Sequence, residues 1–305
     1  MVPSFSIIVP SYCRPEQLAE CLRALSRLEY PRDRFEVIVV DDGGDAPLDD
    51  VVAPFGCNLT LTLVRQPNAG PAAARNLGAE RARGEFLAFT DDDCLPDPCW
   101  LTALADALGR APDCMVGGTV VNAAAGSLCS VTSQLITDLV YRHYNADPLR
   151  ARFLASNNLA LSLRGFREID GFDPGFRTSE DRELCDRWLH HGRRILYHPA
   201  ALVRHAHQLN VWSFSRQHFG YGRGAAHFHR LRATRQSGSL LADSRFHLDI
   251  RNWLHYPLTT VPIRQVVPVA ALLVLWQVTN LAGFLSETIR RNLSTIRDRA
   301  LSPSR

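Results

Sequence analysis

Apolar and polar residues follow one another along the chain in short blocks that read alternately as strands and helices. Residues 5–9 form a first apolar strand ended by Pro10, and SYCRPEQL opens a helix running to about residue 28, with Pro15 tolerated in its first turn. Residues 35–40 are a second strand, closing in Asp41-Asp42-Gly43-Gly44, and residues 59–64 are a third. After a turn at 66–71, the spacing predicts an Ala-rich helix over 72–82 that carries Arg75 and Asn76. The run 86–89 is apolar at every position, as in a strand buried on both faces, and stops in Asp91, Asp92 and Asp93. A helix over about 97–108 follows. This alternation implies βαβ units and an α/β fold with a mostly parallel sheet flanked by helices.

The second half is more mixed. Strands are expected at 114–121, 156–162, 194–197 and 201–203, the last leading to His205. A helix is expected at 127–145, with Leu135, Leu139 and Tyr141 facing inward. Another begins at Ser179-Glu180-Asp181, with Leu184, Trp188 and Leu189 on its apolar face. A further helix over 211–231 is interrupted by Gly220, Gly222 and Gly224.

A chain of 305 residues, 46% hydrophobic and 21% charged, can bury one sizeable core or two smaller ones. Its net charge of +3 conceals an asymmetry: residues 201–305 hold 14 Arg against 4 acidic residues, whereas the first 200 hold 20 against 27. Every basic residue is Arg, a forked donor suited to phosphate and anionic head groups. The eight cysteines form no CxxC pair and fall largely in predicted core elements, which favours reduced thiols in a cytosolic protein. The first strand starts almost at once, so no signal peptide is expected.

Candidate chemistry lies where strands end. Ligands of open α/β sheets bind at the carboxyl edge, and here two strands end there in adjacent aspartates. Three anions at 91–93 repel one another and call for a cation. Mg²⁺ or Mn²⁺, completed by substrate phosphates, is the natural candidate, and a solvated acidic turn capping the next helix is the plain alternative. GxGxxG is missing after the first strand and GxxxxGK[ST] is missing throughout, so neither a dinucleotide fold nor a P-loop is supported.

In order, SIIVPSYCRPEQL, VIVVDDGG, NAGPAAARNLGA, FLAFTDDDCLPDPCW, SNNLALSL, GFDPGF, SED and RHAH resemble the family 2 inverting glycosyltransferases of the GT-A fold, in their bacterial non-processive form. The resemblance covers about residues 5–230. It implies a GT-A domain over 1–230, with a nucleotide-binding half (1–110) and an acceptor half (111–230), and a helical tail over 231–305. It implies that Asp42 accepts from a pyrimidine ring, with Asp41 sharing that role or ordering the loop. Arg75 and Asn76 would line the nucleotide and diphosphate pocket, with Pro10, Asp92 and Asn157 as further donor contacts. Asp91 and Asp93 would contact ribose and metal, and His205 would complete the Mn²⁺ or Mg²⁺ site. Asp181 would be the base that takes the acceptor hydroxyl proton; a plain helix cap is its alternative role. The donor would be a nucleotide sugar, UDP being the commonest nucleotide of the family, and the acceptor a cell-envelope or lipid-linked glycan. Processive members carry QxxRW; residues 214–223 here read FSRQHFGYGR, so a single addition is expected.

The tail holds the longest apolar run, residues 266–285, punctuated by Pro268, Gln277, Thr279, Asn280 and Gly283. Arg264 precedes it, and Arg290, Arg291, Arg297 and Arg299 follow. A single span, a helix lying in the membrane interface, a docking helix for a partner, including a second copy, and a helix packed on its own domain all fit. Ile289, Leu293, Ile296 and Ala300 recur at helical spacing, which favours attachment to the anionic cytoplasmic face of a membrane. Two other functions compete: a catalytically silent nucleotide-sugar-binding scaffold, and a sugar nucleotidyltransferase. The latter's lysine-rich donor loop is missing, and no nucleic-acid recognition module is seen.

Overall fold

The computed structural model describes residues 2–123, 127–206 and 208–301, with backbone alone for Ala242 and for 294–301. His207 of the RHAH motif, and the side chains of Ile296, Arg297, Arg299 and Ala300, lie outside the described residues. The chain forms two units: Met1–Ala125 with Tyr141–His207, and Gly126–Val140 with Gln208–Arg305. The helix Val211–Arg235 lies wholly in the second.

The first unit is built on one sheet. Its strands are β1 (Phe5–Ser11), β2 (Phe35–Asp41), β3 (Leu61–Arg65), β4 (Phe86–Phe89), β5 (Cys94–Pro96), β6 (Met115–Asn122), β7 (Leu159–Ser162) and β8 (Ile195–His205), in the spatial order β3-β2-β1-β4-β7-β6-β8-β5. The β3-β2-β1-β4 half is parallel, as expected. β7 runs against β4 and β6, and β5 runs against β8, so the other half is mixed. Helices α1 (Pro15–Leu25), the one-turn α2 (Asp49–Val52), α3 (Pro71–Arg81), α4 (Trp100–Arg110), α6 (Leu163–Glu168) and α7 (Glu180–His190) belong to this unit; α5 (Leu128–Tyr144) runs into it from the second.

Alternate strand residues face opposite layers, which is why these strands read as unbroken apolar runs. Ile7, Val9, Val37 and Val39 join Leu18 and Leu22 of α1 and Trp100 and Leu104 of α4 in one layer. Ile8, Ile38, Val40 and Phe89 join Ala74 and Ala79 of α3 and Leu184 and Trp188 of α7 in the other.

Several sequence expectations change. The strand expected at 156–162 starts only at Leu159, because Asn158 uses its side chain as a clamp. Its Nδ2 donates to the carbonyls of Thr119 (2.9 Å) and Ala201 (2.8 Å), and its Oδ1 accepts from Trp100 Nε1 (2.8 Å). The two short strands at 194–197 and 201–203 are one continuous β8, which absorbs Pro199 where its register against β6 shifts between Gly117 and Thr119. The helix expected from 97 begins at Trp100.

The second unit holds the first part of α5 with α8 (Val211–Arg235), α9 (Leu240–Leu248), α10 (Ile250–Thr260) and α11 (Ile263–Leu301). Leu135, Leu139, Phe214, Trp253, Leu273 and Trp276 are among its buried core. The glycines expected to break α8 do not: α8 is continuous, and small residues let the α8 and α11 backbones touch. A Cβ on Gly222 would stand 1.9 Å from the Asn280 carbonyl oxygen, and one on Gly283 2.0 Å from that of Phe219. Ile263–Leu293 of α11 is long and apolar enough to cross a membrane. Val267, Val274, Val278, Leu281, Leu285 and Ile289 lie exposed along it.

Gly118 sits at the β6–β8 shift, where a Cβ would stand 1.9 Å from the Ala201 carbonyl oxygen, a backbone atom with no room to yield. Gly118→Ala is expected to cost about 1–3 kcal/mol or more. Urea denaturation measures this as a lower midpoint at unchanged slope.

Candidate active site

Strand ends β1, β2 and β4 bring the acidic residues to one edge of the sheet. Asp42 follows β2 and is buried; its Oδ1 accepts from Gln66 Nε2 (2.6 Å) and Ala69 N (2.9 Å), its Oδ2 from Asn68 Nδ2 (3.2 Å) and Gly70 N (2.9 Å). Four bonds fill a carboxylate's usual acceptor sites, so Asp42 shapes the 66–70 turn that leads into α3. Asp41 orders its own loop: Oδ1 accepts from the N–H groups of Gly43 and Gly44 (3.2 Å each), and Arg65 lies 3.4 Å from Oδ2.

The cation demanded by the triplet is in part arginine. Arg14, just after β1, donates through Nη1 to Asp92 Oδ1 (3.2 Å) and Asp93 Oδ2 (2.8 Å), and Ser11 Oγ donates to Asp92 Oδ2 (2.8 Å). Arg75 of α3 donates through Nη2 to Asp91 Oδ1 (2.6 Å). Asp91 is the most exposed of the three, its side chain 29% accessible against 5% and 10% for Asp92 and Asp93. Burial pushes the Asp92 carboxyl up to about 7, against the pull of Arg14 and with the push of Asp93.

β5 turns the chain so that the end of β8 returns to the triplet. His205 Nε2 lies 3.1 Å from Asp93 Oδ1. Burial opposes protonation of His205, but the hydrogen bond to Asp93 and its charge outweigh it and raise the pKa. Asp93, Cys94 and His205 each offer a ligand atom within 4.8 Å of the others. Carboxylate oxygen and imidazole suit a divalent ion such as Mn²⁺, whereas the soft thiol of Cys94, held well above its usual range by burial, is the poorer ligand for so hard an ion. Asp93 and His205 thus fit the expected metal, whereas Asp91 lies outside that group of ligand atoms and its Oδ1 is paired with Arg75.

Asp181 stands in the first turn of α7, behind Ser179 in the left-handed region (φ 68°). The approach to α7 is clamped: Asn76 Nδ2 donates to Phe172 O (2.8 Å), Asn76 Oδ1 accepts from Phe172 N (2.9 Å), and Arg187 donates to Gly171 O (2.6 Å) and Ile169 O. Both polar atoms of Asn76 are therefore engaged within the protein. Arg75 is buried, donates through Nη1 to Glu180 Oε1 (2.8 Å) and lies over the Phe172 ring at 5.5 Å. Burial, and then the neighbouring Glu180 charge, push the Asp181 carboxyl up to about 7; the Arg182 and Ser156 N–H groups and the Arg75 charge pull against this. Buried Asn157 Oδ1 and Arg75 Nε have no hydrogen-bond partner among the described residues, which fits polar groups kept for a ligand. Pro10 lies in β1 opposite Val40.

Arg14 and Glu180 lie inside the quoted motifs SIIVPSYCRPEQL and SED, yet the spacing assigns neither of them a role. A basic residue directly after a strand end that faces an acidic cluster is the signal that could have found Arg14.

Residues 6–168 match the model for glycosyl transferase family 2. A pre-mycofactocin glycosyltransferase of Mycobacterium tuberculosis is 32% identical over 211 residues, 66% of this chain and 44% of that protein, so the chain spans under half of this curated relative's length. Among solved structures, the mannosyltransferase PcManGT from Pyrobaculum calidifontis, in complex with GDP-Man and Mn²⁺, superposes with a TM-score of 0.69 at 19% identity, covering 94% of this chain and 88% of that one. S. aureus TarS 1–349 gives 0.59 at 18% identity over 95% and 91%. The sheet with its acidic carboxyl edge is a GT-A fold, and with the family match extending over more than half its residues, the chain belongs to glycosyl transferase family 2.

Proposed function

We propose that this protein is a metal-dependent, inverting glycosyltransferase that moves one sugar from a nucleotide-diphosphate sugar, UDP-linked in the first instance, to an acceptor hydroxyl of a cell-envelope or lipid-linked glycan. The observation that carries this reading is the meeting of Asp93 and His205, 112 residues apart in sequence, at the carboxyl edge of the sheet. A divalent ion held by Asp93 and His205 would offset the charge growing on the departing diphosphate. Asp91 and Asn157 contact the donor, Asp41 and Asp42 hold the loops around the base, and Asn76 fixes the wall formed by Phe172. Asp181 takes the proton of the acceptor hydroxyl while that oxygen bonds to the anomeric carbon. The bond to the diphosphate oxygen breaks on the opposite side, and its electron pair leaves with the diphosphate.

Titration calorimetry with UDP and UDP-sugars, with and without Mn²⁺ or Mg²⁺, tests the metal site. Uptake is expected to depend on the ion and to weaken at least tenfold in Asp93→Ala and His205→Ala. Uptake that ignores both the ion and the substitutions overturns the reading.

Asp181→Asn is expected to lower turnover at least 10²-fold with donor affinity nearly unchanged. Because the base works only when deprotonated, wild-type kcat should fall as pH drops through about 7. Diphosphate release at pH 5–9 measures both.

The same proposal puts the enzyme at the cytoplasmic face of a membrane, held by the exposed apolar line of α11 and the arginines at its ends, with pairing of two copies as the competing use of that line. The protein should float with vesicles containing anionic lipid at low salt and be released as salt rises. Failure to float at low salt removes the membrane from the proposal.

A further inference from the structure

Arg75 is an unusual phosphate-pocket arginine. It is 3% exposed, and its two terminal nitrogens are committed to two carboxylates far apart in sequence, Asp91 Oδ1 at 2.6 Å and Glu180 Oε1 at 2.8 Å. Asp91 begins the acidic triplet after β4; Glu180 begins α7, one residue before Asp181. The guanidinium therefore bridges the donor edge of the sheet and the helix that carries the base, and its plane is held over Phe172, which Asn76 grips through both backbone groups.

We propose that Arg75 and Glu180 are positioning residues: the buried ion pair ties the start of α7 to the acidic strand edge and places two opposite charges beside Asp181, the residue after Glu180. The proposal rests on the reading of Asp181 as the base for its catalytic meaning, but the charge coupling is a property of the fold. The groups that act on Asp181 include Glu180 and Cys185 on its own helix, Arg75 from α3 and Tyr141 from α5, with the N–H groups of Ser156 and of Arg182, which donates to Asp181 Oδ1 at 2.7 Å. Of these, Glu180 and Arg75 are the two side chains charged at neutral pH, and they act in opposite directions. Removing the Glu180 charge makes ionisation of Asp181 easier; removing that of Arg75 makes it harder.

Thermodynamic linkage reads this without a substrate. A carboxyl whose pKa is raised by folding contributes stability at low pH and loses it as pH rises, until the folded-state value is passed. The stability difference between the intact protein and its Asp181→Asn variant should therefore fall with pH and level off near 7. The same difference measured in a Glu180→Gln background should level off about one unit lower, and in an Arg75→Gln background about one unit higher. Gln at 180 keeps the hydrogen-bond acceptor for Arg75, so this background retains the shape of the site if Arg75→Gln does not fold; Arg75→Lys should restore most of the original value. An unmoved plateau in Glu180→Gln, or shifts of the same sign in both backgrounds, overturns the proposal. With a donor that turns over, the acidic limb of kcat should move as the plateau does. Retained turnover in Asp181→Asn would instead remove the base assignment and leave the linkage result standing.

Discussion

Anions crowded onto one edge of a sheet hold together only if counter-charge reaches them, and that requirement organises this site. The parallel half of the sheet delivers the ends of β1, β2 and β4 to the same place, so Asp41, Asp42 and the 91–93 triplet converge by topology alone. Arg14 answers two of these carboxylates and Arg75 a third. A guanidinium is suited to this work because it stays charged when buried and offers several donors in a fixed fork. Cost decides where each arginine sits: Arg14 keeps about half its side chain in solvent, whereas Arg75 is fully enclosed and needs two carboxylates and an aromatic face to be tolerated there.

Much of the fold could be read from the chain because the strands are buried on both faces and interrupted by turn residues at regular distance. The first four strands and the helices α1 and α3 between them needed no tertiary information. Elements whose existence depends on a distant partner were not legible. β5 is three residues long and is a strand only because β8 lies beside it. β8 reads as two pieces because Pro199 breaks the pattern, yet its register shift against β6 makes room for that proline. Helix α9 carries no strong periodicity and is fixed by packing with α10 around Trp253 and Trp276.

The site residues divide in the same way. Carboxylates at strand ends announce themselves, since their chemistry and their position coincide. What each carboxylate touches does not follow from spacing. Asp42 has the look of a ligand-binding residue, but its oxygens are spent on the turn at 66–70. Asn76, 96 residues away from Phe172 in sequence, is a backbone clamp. The pairing of Arg75 with Glu180 spans 105 residues and no local pattern encodes it.

The close seat of α11 on α8 bears on how this protein is handled. An apolar C-terminal helix invites deletion to obtain a better-behaved enzyme. Here Gly222 and Gly283 let the two helices touch backbone to backbone, and Val269, Leu273 and Trp276 supply part of the second unit's interior. Cutting before residue 263 would strip a wall from that interior and leave Phe214 and Trp253 facing water. The segment that looks like a detachable anchor is masonry in the second unit, and truncation is the wrong route to a tractable sample.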